Sequence, residues 1–137
     1  MFVLDTDTLS HFLRSRGRVV ERIEQAREEV VITLISQIEV LQGRFASVLK
    51  AEDGEKLLQA QQRLEDTERD LKRFTILPVA PAAVEFDRLR QNKKLKKIGR
   101  GDLLIAAVTL AHRARLVTRN VKDFRQVPGL LVENWID

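Results

Sequence analysis

Phe2-Val3-Leu4-Asp5-Thr6-Asp7-Thr8-Leu9-Ser10-His11-Phe12-Leu13 decides how this chain folds. Three apolar residues run without a break into Asp5-Thr6-Asp7, and Leu9, Phe12 and Leu13 then return at helical spacing. An apolar run closed by polar residues predicts a short strand, and the spacing after it predicts a helix. The chain opens on a β–α unit.

The same alternation continues outward. Val19, Val20, Ile23 and Ala26 make a second helical stripe, and the β-branched run Val30 to Leu34 reads as a strand buried on both faces. Ser36 is expected to open another helix, with Ile38, Leu41 and Gln42 on successive turns. A long, charged helix follows from Gly54 to Phe74, carrying Leu57, Leu58, Leu64 and Leu71. These leucines suit core packing, or a clamp on a partner or a second copy. Thr75 to Val79 reads as a strand punctuated by Pro78 and Pro81. Helices are expected over Ala82–Lys97 and Asp102–Arg113, a fourth strand at Leu116–Thr118 and a last at Leu130–Val132. Strands separated by helices imply βαβ units and a parallel sheet. The expected fold is α/β, a three-layer α/β/α sandwich with a mainly parallel sheet of four to five strands. No repeat, low-complexity tract or linker interrupts it, so residues 1–137 are expected to form one domain.

In such sheets ligands gather at the carboxyl ends of strands. Asp5 follows the first strand directly, Glu39 lies one helical turn beyond the second, and Thr118 to Asp123 follow the fourth. Asp102 opens the helix that leads into the fourth strand, and topology secures its position least. Each acid also has a purely structural explanation. Asp5 and Asp102 suit helix caps, Asp102 after the Gly99-Arg100-Gly101 turn. Ser36-x-x-Glu39 fits a capping box, Asp123 suits a turn before Phe124, and Asp7 either joins the site or, as favoured, caps the first helix.

Composition narrows the chemistry. Hydrophobic residues make up 44% and charged residues 32%, an ordinary water-soluble balance. Cysteine is absent, which excludes thiol catalysis, disulfides and cysteine-held metal centres. No apolar run approaches the roughly 18 residues of a membrane span, and the N-terminus lacks the basic start of a signal peptide. A cytoplasmic location is therefore expected. The net charge is +4 and the pI about 9.8, which favours a polyanionic partner such as nucleic acid. Arg14, Arg16, Arg18, Lys93, Lys94, Lys96, Lys97 and Arg100 offer phosphate-binding charge, although the Lys93–Lys97 run also suits a solvated helix end. His11 and His112 have no second ligand word nearby, so nothing supports a metal-free, two-histidine ribonuclease.

Taken with their neighbours, the four acids resemble the PIN domain family, and more narrowly its VapC-type toxins. Leu4-Asp5-Thr6-Asp7-Thr8-Leu9-Ser10 is similar to the family's opening, which commonly has Asn where this chain has Asp7. Ser36-Gln37-Ile38-Glu39-Val40-Leu41-Gln42-Gly43 resembles the second motif and Ile98-Gly99-Arg100-Gly101-Asp102-Leu103-Leu104-Ile105-Ala106-Ala107 the third. Thr118-Arg119-Asn120-Val121-Lys122-Asp123-Phe124 resembles the fourth, and Asn134-Trp135 the C-terminal close. The resemblance spans nearly the whole chain. It implies a metal-dependent endoribonuclease in which Asp5 and Asp102 are the principal ligands of Mg²⁺ or Mn²⁺ and Glu39 and Asp123 complete the site. Oxygen-only ligation is what such hard cations select. Thr118 and Asn120 are expected to bond metal water or phosphate, with Arg100 and Lys97 supplying charge to the substrate. The resemblance further implies a homodimer and a VapB-like antitoxin whose C-terminal segment occupies the cleft. Two rival readings are a haloacid-dehalogenase-like phosphatase, which shares the Asp5-x-Asp7 opening but would want an acid at Ala106, and a non-catalytic module that binds RNA or protein.

Overall fold

The structure, a computed structural model, describes residues 1–15 and 17–137, so Arg16 lies outside the described residues. Five parallel strands, β1 (Phe2–Leu4), β2 (Val30–Thr33), β3 (Ile76–Leu77), β4 (Arg115–Val117) and β5 (Leu131–Glu133), lie in the order β3-β2-β1-β4-β5. Among the described residues seven α-helices connect them: α1 (Thr6–Leu13), α2 (Gly17–Gln25), α3 (Leu34–Leu49), α4 (Gly54–Leu71), α5 (Ala83–Gln91), α6 (Arg100–Ala111) and α7 (Val121–Phe124).

Alternation along β1 explains the layers. Phe2 and Leu4 point to one face, where they meet Leu9 and Phe12 of α1, Val19 of α2, Val40 of α3, Leu71 of α4 and Trp135. Val3 points to the other, where it packs with Leu89 of α5, the apolar run of α6 and Phe124 of α7. A strand that must satisfy two apolar layers has no polar face, which is why β1 reads as an unbroken apolar word. The three-layer α/β/α sandwich expected from the sequence is the one observed. Helix α6 is apolar almost all round because it is wedged between the sheet and α5, with Leu103 and Ile105 to Thr109 all buried.

Several boundaries differ, each for a local reason. Helix α3 starts at Leu34, because the hydroxyl of Thr33 at the very end of β2 accepts from the Ser36 amide and caps the helix. Ser36 is therefore inside the first turn, and the Ser36–Glu39 capping box does not form. Helix α6 likewise begins at Arg100 with Gly99 as its cap residue, so Asp102 stands in the first turn and is not a cap. The expected helix over 82–97 is broken at Asn92, whose backbone is extended and whose side chain accepts from the Lys94 amide. Asp123 belongs to the short helix α7 and not to a turn. Of the leucines on α4, Leu71 is buried and Leu64 half-buried, as core packing requires, whereas Leu57 and Leu58 face solvent.

Candidate active site

The register of the three central strands positions the site. Leu4 lies opposite Ile32 on one side and Val117 on the other. The next residues, Asp5, Thr33 and Thr118, therefore stand side by side at the carboxyl edge of the sheet. The Asp5 amide donates to the Val117 carbonyl at 3.0 Å, extending the ladder one residue past β1.

Asp5 caps α1 and also lines the cavity at this edge. It is only 5% exposed. Its Oδ1 accepts from the Thr8 amide at 2.9 Å as the cap of α1, and its Oδ2 accepts from the Thr118 hydroxyl at 2.6 Å. Burial pushes the carboxyl above its usual value, against the lowering effect of these bonds. Hydrogen bonds on both oxygens fix the group, which suits a metal ligand held by outer partners better than the nucleophile of a phosphatase.

Asp102 faces Asp5 from the first turn of α6. Burial raises its carboxyl first, and the charges of Asp5, Glu39 and Asp123 raise it further. Asp102 thus feels the charges of three acids that come from three other elements. Gly101 in the first turn of α6 lies against α3: a Cβ there would sit 3.6 Å from Glu39 Oε2, an ordinary contact. Glu39 itself is exposed and accepts from the Thr6 hydroxyl at 2.7 Å, and Thr6 in turn contacts the Ser36 hydroxyl at 3.0 Å. This link to α1 replaces the capping role that its spacing suggested. Asp123 accepts from Asn120 Nδ2 at 3.0 Å.

An open cavity of about 630 Å³ sits over this edge, with Asp5, Asp7, Ser10, Asp102, Arg119 and Asn120 in its lining. Asp7 does not cap α1. It is exposed in the first turn, 3.8 Å from His11 Nε2, and its carboxylate contributes to the cavity wall. Thr118 is fully buried and its hydroxyl is used twice, donating to Asp5 and accepting from the Asn120 amide. Arg100 and Lys97 are exposed and outside the cavity lining, and the Arg100 guanidinium lies 5.5 Å from the centre of the Phe86 ring. His112 ends α6 at the far side, roughly 15 Å along the helix from Asp102, so the two histidines do not form a catalytic pair.

Arg119 was not singled out from the sequence. It is the one cation in the cavity lining among the described residues, held by Asp137 at 3.1 and 3.3 Å. The available signal was its position, two residues past β4 at the carboxyl edge.

Among the described residues no three carboxylate or histidine side chains form a ready-made metal cage. The donor set nonetheless fits a hard divalent cation. It is all oxygen, two of its carboxyls are raised, and among the described residues none of Asp5, Glu39, Asp102 or Asp123 has a cation at ion-pair distance. Magnesium keeps several waters and is held through one or two carboxylates, so a closed cage is not what it requires.

Known proteins resemble the chain over nearly its whole length. The PIN domain family profile matches residues 2–130. The chain is 26% identical to ribonuclease VapC1 of Haemophilus influenzae strain R2866, over 98% of both chains. It is 25% identical to the tRNA(fMet)-specific endonuclease VapC of Salmonella typhimurium, over 98% of this chain and 97% of that one. A chain in the crystal structure of VapBC2 from Rickettsia felis bound to a promoter DNA fragment superposes with a TM-score of 0.80, at 28% identity over 98% of both.

Proposed function

The chain belongs to the PIN domain family, and from that premise we propose that Asp5, Glu39, Asp102 and Asp123 are the working residues of its nuclease centre. The protein is an endoribonuclease of the VapC type, the toxin of a toxin–antitoxin pair, and its protein partner is a VapB-like antitoxin. Residues 1–137 act in this reading as one nuclease domain, because both apolar layers share a single sheet. A homodimer is the assembly the family suggests.

One observation carries the site assignment: burial raises the Asp102 carboxyl and the charges of Asp5, Glu39 and Asp123 raise it further, while among the described residues no cation pairs with any of the four. Holding four carboxylates at one sheet edge costs stability, and a cation lowers that cost. The reading is divalent-metal dependence, with Mg²⁺ or Mn²⁺ held chiefly by Asp5 and Asp102. When bound, such an ion supplies an acidified water as attacking group and positive charge against the phosphate.

The chain's own residues do the rest. Thr8 and Thr118 fix both oxygens of Asp5 so that its remaining lone pairs keep one direction. Thr6 ties Glu39 to α1, and Asn120 ties Asp123 to the loop after β4, so both acids stay near Asp102. Arg119 places a guanidinium in the cavity, where it can bind a phosphate oxygen by exchanging one of its bonds to Asp137.

The test is incubation of purified protein with total RNA and, separately, with a small phosphomonoester, in Mg²⁺, Mn²⁺ or EDTA. Cleavage of RNA that needs metal and disappears in Asp5→Asn and Asp102→Asn is expected. RNA cleavage indifferent to EDTA and to both substitutions overturns the metal centre. Phosphate release without RNA cleavage points to the phosphatase, and RNA binding without cleavage to a non-catalytic module.

A further inference from the structure

A second groove lies at the other end of α1 from the catalytic cavity, and that groove is basic. Ser10 lines the cavity, and Arg14, four residues on along α1 and so on the same face, lines a groove between α1, α3 and α4. Arg44 of α3 and Arg63 of α4 enter the same groove. Arg44 is half-buried, and its Nε donates to the buried Thr67 hydroxyl at 3.0 Å, an anchor that leaves its two terminal amino groups uncommitted. Burial, and then the charges of Arg63 and Arg14, push the Arg44 guanidinium below its usual value.

Among the described residues none of the three arginines has a carboxylate at ion-pair distance. The acids of the groove are otherwise engaged. Asp66 and Asp70 both pair with Arg69, at 3.2 and 3.6 Å, and Asp66 also accepts from Gln62. Three guanidinium groups gathered without a counter-charge make a site for an anion, and their planar forks match phosphate oxygens. A further depression shares Gln59 and Arg63 with this groove and adds Lys50, so the cations follow a line. A line of cations suits a polyanion better than a single acidic side chain.

We propose that Arg14, Arg44 and Arg63 form a phosphate-binding subsite for the RNA strand next to the scissile bond, one helical turn of α1 from the catalytic cavity. The subsite rests on the reading of that cavity as a ribonuclease centre. Its contacts are to the backbone, so it sets affinity and the direction of the strand but not sequence.

A short fluorescein-labelled single-stranded RNA, titrated in EDTA at several salt concentrations, tests it without any cleavage. Wild type is compared with Arg14→Gln/Arg44→Gln/Arg63→Gln and with Arg88→Gln/Arg90→Gln, which removes charge from α5. The triple variant should bind about tenfold more weakly, and its salt slope should fall by about 2, near 0.7 for each lost phosphate contact. The α5 variant should match wild type. If the triple variant misfolds by circular dichroism, the exposed single change Arg63→Gln should still lower the slope by about 0.7. Wild-type affinity and slope in the folded variant overturn the subsite. Unchanged RNA binding together with lost binding of polyglutamate overturns it too, and assigns the groove to an acidic protein segment. Because binding is read without metal, absence of any metal-dependent RNA cleavage sinks the ribonuclease reading separately from this one.

Discussion

The Thr118 hydroxyl and Asp5 Oδ2 are joined by a 2.6 Å hydrogen bond although 113 residues separate them. Strand pairing makes that contact: β1 and β4 are neighbours in register, so the first residues past both strands meet. The buried carboxylate is thereby held in one orientation.

Thr118→Val removes that donor with almost no change of shape. One oxygen of a buried carboxylate then loses its partner, at a cost of about 1–3 kcal/mol, and the Asp5 carboxyl rises further. Metal affinity, measured by titrating Mn²⁺ into the protein, should fall about tenfold or more. Thr118→Ser should restore it. Equal affinity in the valine and serine variants would show that the hydroxyl does nothing for the site.

Asp102→Asn should lower kcat/KM for RNA by at least about a hundredfold, through loss of a ligand. In EDTA the same change should raise Tm, because it removes a charge that Asp5, Glu39 and Asp123 repel. An inactive variant with a lowered Tm would mean that Asp102 serves the fold and not a metal.

Stability of the metal-free protein should carry the signature of this cluster. Asp5 and Asp102 both have raised carboxyls, so the folded protein binds these protons more tightly than the unfolded chain. Their contribution to stability is fully present below the ordinary value of 3.8 and is lost as pH rises through the raised values. In EDTA the Tm difference between Asp102→Asn and wild type should be small near about pH 4 and widen towards about pH 7. Added Mn²⁺ should narrow it by stabilising wild type. A difference that stays flat with pH is the contrary result.

Trp135 locks the end of the chain onto the first strand. It is 2% exposed, its ring lies 5.0 Å from that of Phe2, and Arg22 stacks over it at 5.3 Å. Trp135→Ala should cost about 3–5 kcal/mol, read as a lower urea midpoint at unchanged m-value. A shift well under 1 kcal/mol, roughly the size of a surface change, would contradict that packing.

Periodicity made the architecture legible. The unbroken apolar words at Phe2–Leu4, Val30–Thr33 and Leu116–Val117 are what a sheet covered on both faces needs, and the helical stripes between them imply parallel connections. The helix starts were less legible, because Thr33 and Ser36 are equally good caps by type. Only the end of β2 decides that Thr33 takes the role. Helix α7 was missed because its four residues are too few to show a period.

The sequence by itself determined the alternation of strands with helices and the place of Asp5 directly after the first strand. Those properties depend on near neighbours along the chain. Tertiary structure decided the partnerships: Asp102 beside the other three acids, Thr118 spent on Asp5, Asp7 and Arg119 in the cavity wall, and Arg14, Arg44 and Arg63 facing one groove. Such contacts depend on strand register and on how helices from distant segments pack, and no local pattern encodes either.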